Sequence, residues 1–175
     1  MDKHFLSYEQ FRSLARPTST HLERDVVESY ISECEDVYIV PSIGTTLFYQ
    51  LAEYDAETPD TYLDTLLDGG VFMFDGCGCY PTSERMCYGI RKALAYFVYG
   101  KMMLDDGLTM TRSGNIQHLD EYGTRMEQRQ RVNRYNDVLA SAQLYLNSVL
   151  EYIKQNDSNQ PVIQQFGTRI KAIGD

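Results

Sequence analysis

The stretch Leu22-Glu-Arg-Asp-Val26-Val-Glu-Ser-Tyr30-Ile-Ser-Glu-Cys34-Glu-Asp-Val-Tyr38-Ile-Val-Pro41 decides the fold class. Leu22, Val26, Val27, Tyr30, Ile31, Cys34, Val37 and Tyr38 recur every three to four residues. That spacing puts one apolar stripe on a helix and predicts one over about 21–39. Thr20 and Glu23 stand ahead of it at capping-box spacing, where each side chain accepts from an unpaired N–H of the first turn. Pro41 predicts its end, since the proline ring disfavours the helical conformation at Val40 and brings no donor.

The same reading extends downstream. After Gly44, Thr45 to Glu53 reads as a short helix with Leu47, Phe48 and Leu51 inward. Thr58-Pro59 predicts a second start, a cap followed by proline, with Tyr62, Leu63, Leu66 and Leu67 facing the core as far as Gly69-Gly70. Val71 to Phe74 is a brief β-type run. Thr82 or Ser83 is expected to cap a helix over about 83–105, with Met86, Ile90, Ala93, Leu94, Phe97, Val98 and Met102 as its stripe. Leu108 to His118 alternates around Ser113-Gly114-Asn115 and predicts a small hairpin or extended arm. A last helix is expected over about 120–155. Its second half is well patterned by Tyr135, Val138, Leu139, Ala142, Tyr145, Leu146, Val149, Leu150 and Ile153. Its first half is polar and carries Arg125, Arg129, Arg131 and Arg134, the mark of a helix that projects from its own core or meets a partner.

Together these elements predict a mainly α chain, a small bundle of four to five helices with a short hairpin or arm. The organisation expected is an N-terminal arm over 1–20, a helical domain over 21–156 and a C-terminal tail over 157–175. The 175 residues suffice for one domain with a core of its own. Met1 to Phe11 is polar and reads as no signal peptide, and no stretch nears 18 uninterrupted apolar residues. A cytoplasm-like compartment is therefore expected, in which Cys34, Cys77, Cys79 and Cys87 are free thiols.

Charge is the informative feature. The formal net charge of −9 argues against nucleic-acid binding through bulk charge. From Asp25 through Glu84 there are 13 acidic residues and no Lys or Arg; from Arg85 through Arg134 there are nine basic residues and five acidic ones. Either the two stretches pair within one chain, or the acidic flank of one copy meets the basic flank of the next. The second arrangement is a head-to-tail contact that closes into a ring if the rotation permits.

Motifs of catalysis are missing from the sequence. There is no G-x-S-x-G, no H-E-x-x-H and no phosphate-cradling glycine loop. Cys77-Gly-Cys79 with Cys87 is the metal-like cluster, to which Cys34 or His118 could add, but its spacing departs from zinc-site pairs. Inert thiols are the plainer reading, and no metal, cofactor or catalytic residue is assigned. The carboxylates Glu53, Asp55, Glu57, Asp60, Asp64 and Asp68 lack the spacing of a calcium loop; the last three fall at four-residue intervals, the wet face of a helix. His4, His21 and His118 are isolated. Fourteen tyrosines, among them Tyr88, Tyr96, Tyr99, Tyr135, Tyr145 and Tyr152, extend the apolar stripes and suit core edges or interface anchors.

The capped helix followed by Tyr38-Ile-Val-Pro41-Ser-Ile-Gly44-Thr-Thr-Leu-Phe48, the run Tyr88-Gly-Ile-Arg-Lys-Ala-Leu-Ala-Tyr96, and Gly114-Asn-Ile-Gln before a long final helix resemble small proteins of tailed phages and prophages of Bacteroidetes. Those are similar in turn to head–tail connector (adaptor) subunits. The resemblance covers about residues 20–155. It implies a non-enzymatic virion protein of the neck, assembled in the host cytoplasm. Copies would form a ring, commonly of twelve, between the portal protein and tail components, with DNA passing through without adhering. Arg125, Arg129, Arg131 and Arg134 are the expected partner interface, facing an acidic patch on the next copy or on another virion protein. The rival readings are a small cytoplasmic protein-interaction module and a metal or redox protein built on Cys77, Cys79 and Cys87.

Overall fold

The computed structural model describes residues 4–16, 22–54, 59–75, 81–105, 108–111, 114–117 and 128–156, the side chains of 108–117 and 128 excepted. The first element is one the sequence reading did not contain. Helix α1, Tyr8–Leu14, opens on a complete capping box: Ser7 Oγ accepts from the Gln10 N–H at 3.2 Å, and Gln10 Oε1 accepts from the Ser7 N–H at 2.9 Å. Phe5, Leu6, Tyr8 and Phe11 are all buried, so the stretch read as an arm supplies part of the core.

Helix α2, Arg24–Cys34, buries Val27, Ile31 and Cys34 as its stripe requires. The capping box expected ahead of it is not made by Glu23, which is itself the N-cap and makes no side-chain cap bond; Thr20 lies outside the described residues. The end predicted at Pro41 is also displaced. The chain passes from α2 into one wide π-helical turn, Glu35–Ile39, and on into the short helix α3, Val40–Ile43, with Val40 itself in the right-handed helical region. The wide turn explains the tolerance. The Val40 N–H reaches back five residues to the Glu35 carbonyl, and the Ser42 hydroxyl donates to the Tyr38 carbonyl at 2.6 Å. Pro41 then sits where its missing donor is of little consequence. Gly44, at φ +81°, makes the break instead.

Helix α4, Thr45–Glu53, follows with Leu47 and Leu51 buried. Helix α5, Thr61–Asp68, starts two residues later than Pro59 suggests, because Asp60 is its cap and accepts from the N–H groups of Tyr62 and Leu63. Strand β1, Gly70–Phe74, pairs antiparallel with β2, Ser83–Cys87, with Val71 opposite Met86 and Phe72 opposite Arg85. The expected helix over 83–105 is thereby corrected: its first five residues are strand, and helix α6 is Ile90–Asp105. Met86 consequently points outward, 49% exposed, instead of joining the helical stripe. Gly89 at φ +82° marks the change of direction, and a Cβ there would lie 2.6 Å from the Leu67 carbonyl oxygen.

Helix α6 makes its most extensive contact with α7, Gln128–Asn156, and the two run antiparallel. Gly100 lets them approach closely at one end, where a Cβ would stand 3.3 Å from Val138 Cγ1. Tyr96 and Tyr88 meet Tyr145 at the other, with ring centroids 5.0 Å apart in each pair. Between them, beyond α6, strands β3, Leu108–Thr111, and β4, Gly114–Gln117, form the expected hairpin. The fold is mainly α, with two small antiparallel ribbons among the described residues where one hairpin was expected. One apolar cluster runs from Phe5 through α2, α4, α5 and α6 to Ile153. No helix among the described residues is long and apolar enough to cross a membrane.

Candidate assembly surfaces

The acidic stretch folds into a surface of its own. Along α2 and the wide turn, Asp25, Glu28, Ser32 and Asp36 follow one another at three- to four-residue intervals, the opposite face to buried Val27, Ile31 and Cys34. With Phe48, Tyr49 and Glu53 of α4 they line a groove of about 860 Å³. Tyr49 is 64% exposed there. Glu28 is paired with Arg24 at 2.6 Å, whereas Asp25, Asp36 and Glu53 are exposed and have no ion-pair partner among the described residues.

At the inner end of the groove lies Glu35, buried to 4% exposure. One carboxylate oxygen accepts from the Phe5 backbone N–H at 2.8 Å, and the other meets His4 Nδ1 at 2.8 Å. Burial pushes this carboxyl above the usual carboxylate range, with both hydrogen bonds pulling it part of the way back. The wide turn and the N-terminal segment are joined here.

Some of the segregated charge is spent inside the chain. Arg91 Nη1 lies 2.6 Å from both Asp68 oxygens, and its Nε donates to the Phe5 carbonyl at 2.8 Å. Lys101 pairs with Glu33 at 3.0 Å. Arg85 pairs with Glu151 at 2.8 Å and stacks over the Phe74 ring at 3.7 Å. Lys92 sits over the rings of Tyr88 and Tyr145. None of these cations reaches the groove.

Of the expected interface arginines, Arg129 and Arg134 are exposed and Arg131 is half-buried, all within the first two turns of α7; Arg125 lies outside the described residues. Arg129 and Arg131 already have interactions within the chain, while Arg134 has no ion-pair partner among the described residues. Val132 among them is buried, so the α7 stripe begins before Tyr135, where the sequence pattern placed its start.

The other singled-out residues serve the fold. Asp60 caps α5, Asp64 accepts from the Tyr54 hydroxyl at 2.7 Å, and Asp68 holds Arg91; Asp55 and Glu57 are outside the described residues. Cys34 is buried and its thiol is pushed up to about 12 by burial. Cys87 is buried as well, donates to the Thr65 carbonyl at 3.5 Å, and is also raised by burial. Cys77, Cys79, His21 and His118 lie outside the described residues. No group of three potential metal ligands occurs among the described residues. Tyr135 and Tyr152 are buried, and Tyr88, Tyr96, Tyr99 and Tyr145 lie at the core edge.

One surface was not anticipated. The outer face of the β1–β2 ribbon exposes Val71 and Met86, which are cross-strand neighbours, together with Met73. Its signal was the continuous apolar run Val71-Phe-Met-Phe74, whose alternate residues fall on opposite faces once it is paired with Ser83 to Cys87.

No curated protein and no solved structure matches the chain. A family model does, over residues 39–163, from the wide turn through α7 and well over half the length. The chain belongs to the family of unknown function DUF6712.

Proposed function

We propose that this protein is a structural subunit of a phage neck, a head–tail connector (adaptor) that associates with copies of itself into a ring between portal and tail, and that it is not an enzyme. The observation that carries this reading is the segregation of acidic and basic residues onto different elements. Asp25, Asp36 and Glu53 line one groove on α2, the wide turn and α4, while the exposed Arg129 and Arg134 lie on α7. A chain with an acidic surface and a basic one on different elements is suited to head-to-tail association, and a closed rotation makes a ring.

The net charge of −9 agrees with a channel through which DNA slides, since a basic lumen would hold phosphates by counterion release. The apolar ribbon face of Val71, Met73 and Met86 offers a further contact to a neighbouring virion component, for which flexible methionine side chains are well suited. Virion localisation and DNA passage follow from the same proposal. Negative-stain images of the purified chain test it. Closed rings with a central channel are expected; open filaments or single particles of monomer size over the whole concentration range speak against it.

A further inference from the structure

We infer that the pocket at the start of α6 is the seat for Tyr49 and Glu53 of α4 from a second copy of this chain. The inference rests on the ring reading and names a contact that would build the ring.

The pocket lies where the end of α1, the turn from α5 into β1 and the end of β2 meet the first turn of α6, and its volume is about 470 Å³. Leu14, Leu67, Met86 and Tyr88 give it an apolar lining, and Arg91 and Lys92 supply its cations. The two cations differ. Arg91 is matched by Asp68. Lys92 is held over the rings of Tyr88 and Tyr145, 4.9 and 4.7 Å from their centroids, and has no carboxylate partner among the described residues. Ring faces position an ammonium without cancelling its charge. The first turn of α6 holds no acidic residue, so both cations stand at the helix end that favours anions. An apolar recess is thus combined with a positive charge that a carboxylate from outside would match.

The complementary feature is on α4. Tyr49 is the aromatic among the large apolar side chains left exposed in the described residues, and at 64% the most exposed of them. Aromatic residues of this kind anchor interfaces by filling pockets. Glu53 follows one turn later, exposed and without an ion-pair partner among the described residues. Residues four apart on a helix are neighbours on one face. A ring and a carboxylate side by side match an apolar recess with an ammonium beside it. No residue of α4 lines the pocket, so a copy's own Tyr49 does not fill it. Knob and pocket are different surfaces, and the contact is therefore head to tail: each copy gives its α4 to one neighbour and receives the α4 of another.

The test is sedimentation of the full chain and of four variants: Y49A, E53K, K92E and the charge swap E53K/K92E. Wild type is expected to associate, more weakly as salt rises. Y49A is expected to associate about tenfold more weakly with its melting unchanged, since the side chain it removes is exposed. E53K and K92E should each weaken association severalfold, because like charges then face each other across the contact. The charge swap is expected to recover, as is an equal mixture of the two single variants, because opposite charges then face each other again. Circular dichroism and melting check folding; if K92E does not fold, K92Q replaces it, also expected to weaken association, and Y49A decides. Wild-type association in Y49A overturns this inference but leaves the ring reading standing on another surface. Weakening in folded E53K and K92E without recovery in the swap or the mixture overturns it as well. Absence of association in the wild type at every concentration and salt removes both.

Discussion

Glu35 holds the ring of His4 at 2.8 Å across 31 positions of sequence and takes the Phe5 backbone N–H on its other oxygen. This pair of bonds fixes the N-terminal segment onto the wide turn that carries the chain past Pro41. Two consequences follow for stability, one from the hydrogen bond and one from the charge.

Glu35→Ala leaves the buried Phe5 N–H without its acceptor and is expected to cost about 1–3 kcal/mol. Glu35→Gln keeps an acceptor and removes the charge. The sign is set by burial: the folded carboxyl titrates above its ordinary value near about 4.3, so the folded state binds the proton more readily. Its contribution therefore favours folding at low pH and is lost as pH rises from the ordinary carboxylate value through the raised one. Urea denaturation from pH 4 to 7 should show Glu35→Gln gaining on wild type across that window. A constant difference between the two would contradict the assignment.

Gly89 and Gly44 share a positive φ, but their surroundings differ. Nothing lies within 4 Å of a Cβ at Gly44, whereas one at Gly89 would meet the Leu67 carbonyl oxygen at 2.6 Å and Asp68 and Gly69 backbone atoms within 2.8 Å. Gly44→Ala should cost the conformational strain alone, about 1–3 kcal/mol. Gly89→Ala adds a backbone clash that no side-chain rotation relieves, and should melt well below Gly44→Ala. Equal melting of the two would show that the crossing of α5's end with α6's start is looser than described.

Cys34 and Cys87 should behave as buried thiols. In a C77S/C79S background, alkylation of the native protein at pH 8 is expected to be slow at both positions and fast after unfolding in denaturant. Burial raises both thiols, Cys34 to about 12, so little thiolate is present. Rapid labelling of native Cys87 would contradict its burial at the inward-facing end of β2.

The fold class was legible because the strongest sequence signals were local. Gly44 and the Leu47–Leu51 spacing set out α4 to the residue, and the stripe from Val138 to Ile153 set out the packed part of α7. The errors arose where two periods fit one stretch. Met86, Cys87 and Ile90 suit a helix, yet Cys87 and Met86 also alternate inward and outward as a strand, and Gly89 decides between them only through a backbone approach to Leu67 that is distant in sequence. Helix α1 was missed because seven residues give too short a stripe to stand above its polar surroundings, although Ser7 and Gln10 mark its start. Charge segregation was visible in the sequence, but which acids remain unpaired was not. Asp68 and Glu33 are matched by Arg91 and Lys101 only through tertiary packing, and Asp25, Asp36 and Glu53 are among the acids left without an ion-pair partner among the described residues.

The central claim, that copies of this chain build a closed assembly, is tested most directly by a native mass spectrum of the purified full-length protein at low and high salt. The account predicts a discrete multiple of the monomer at low salt that dissociates as salt rises. A monomer alone, from micromolar to the highest soluble concentration and at every salt, would contradict it.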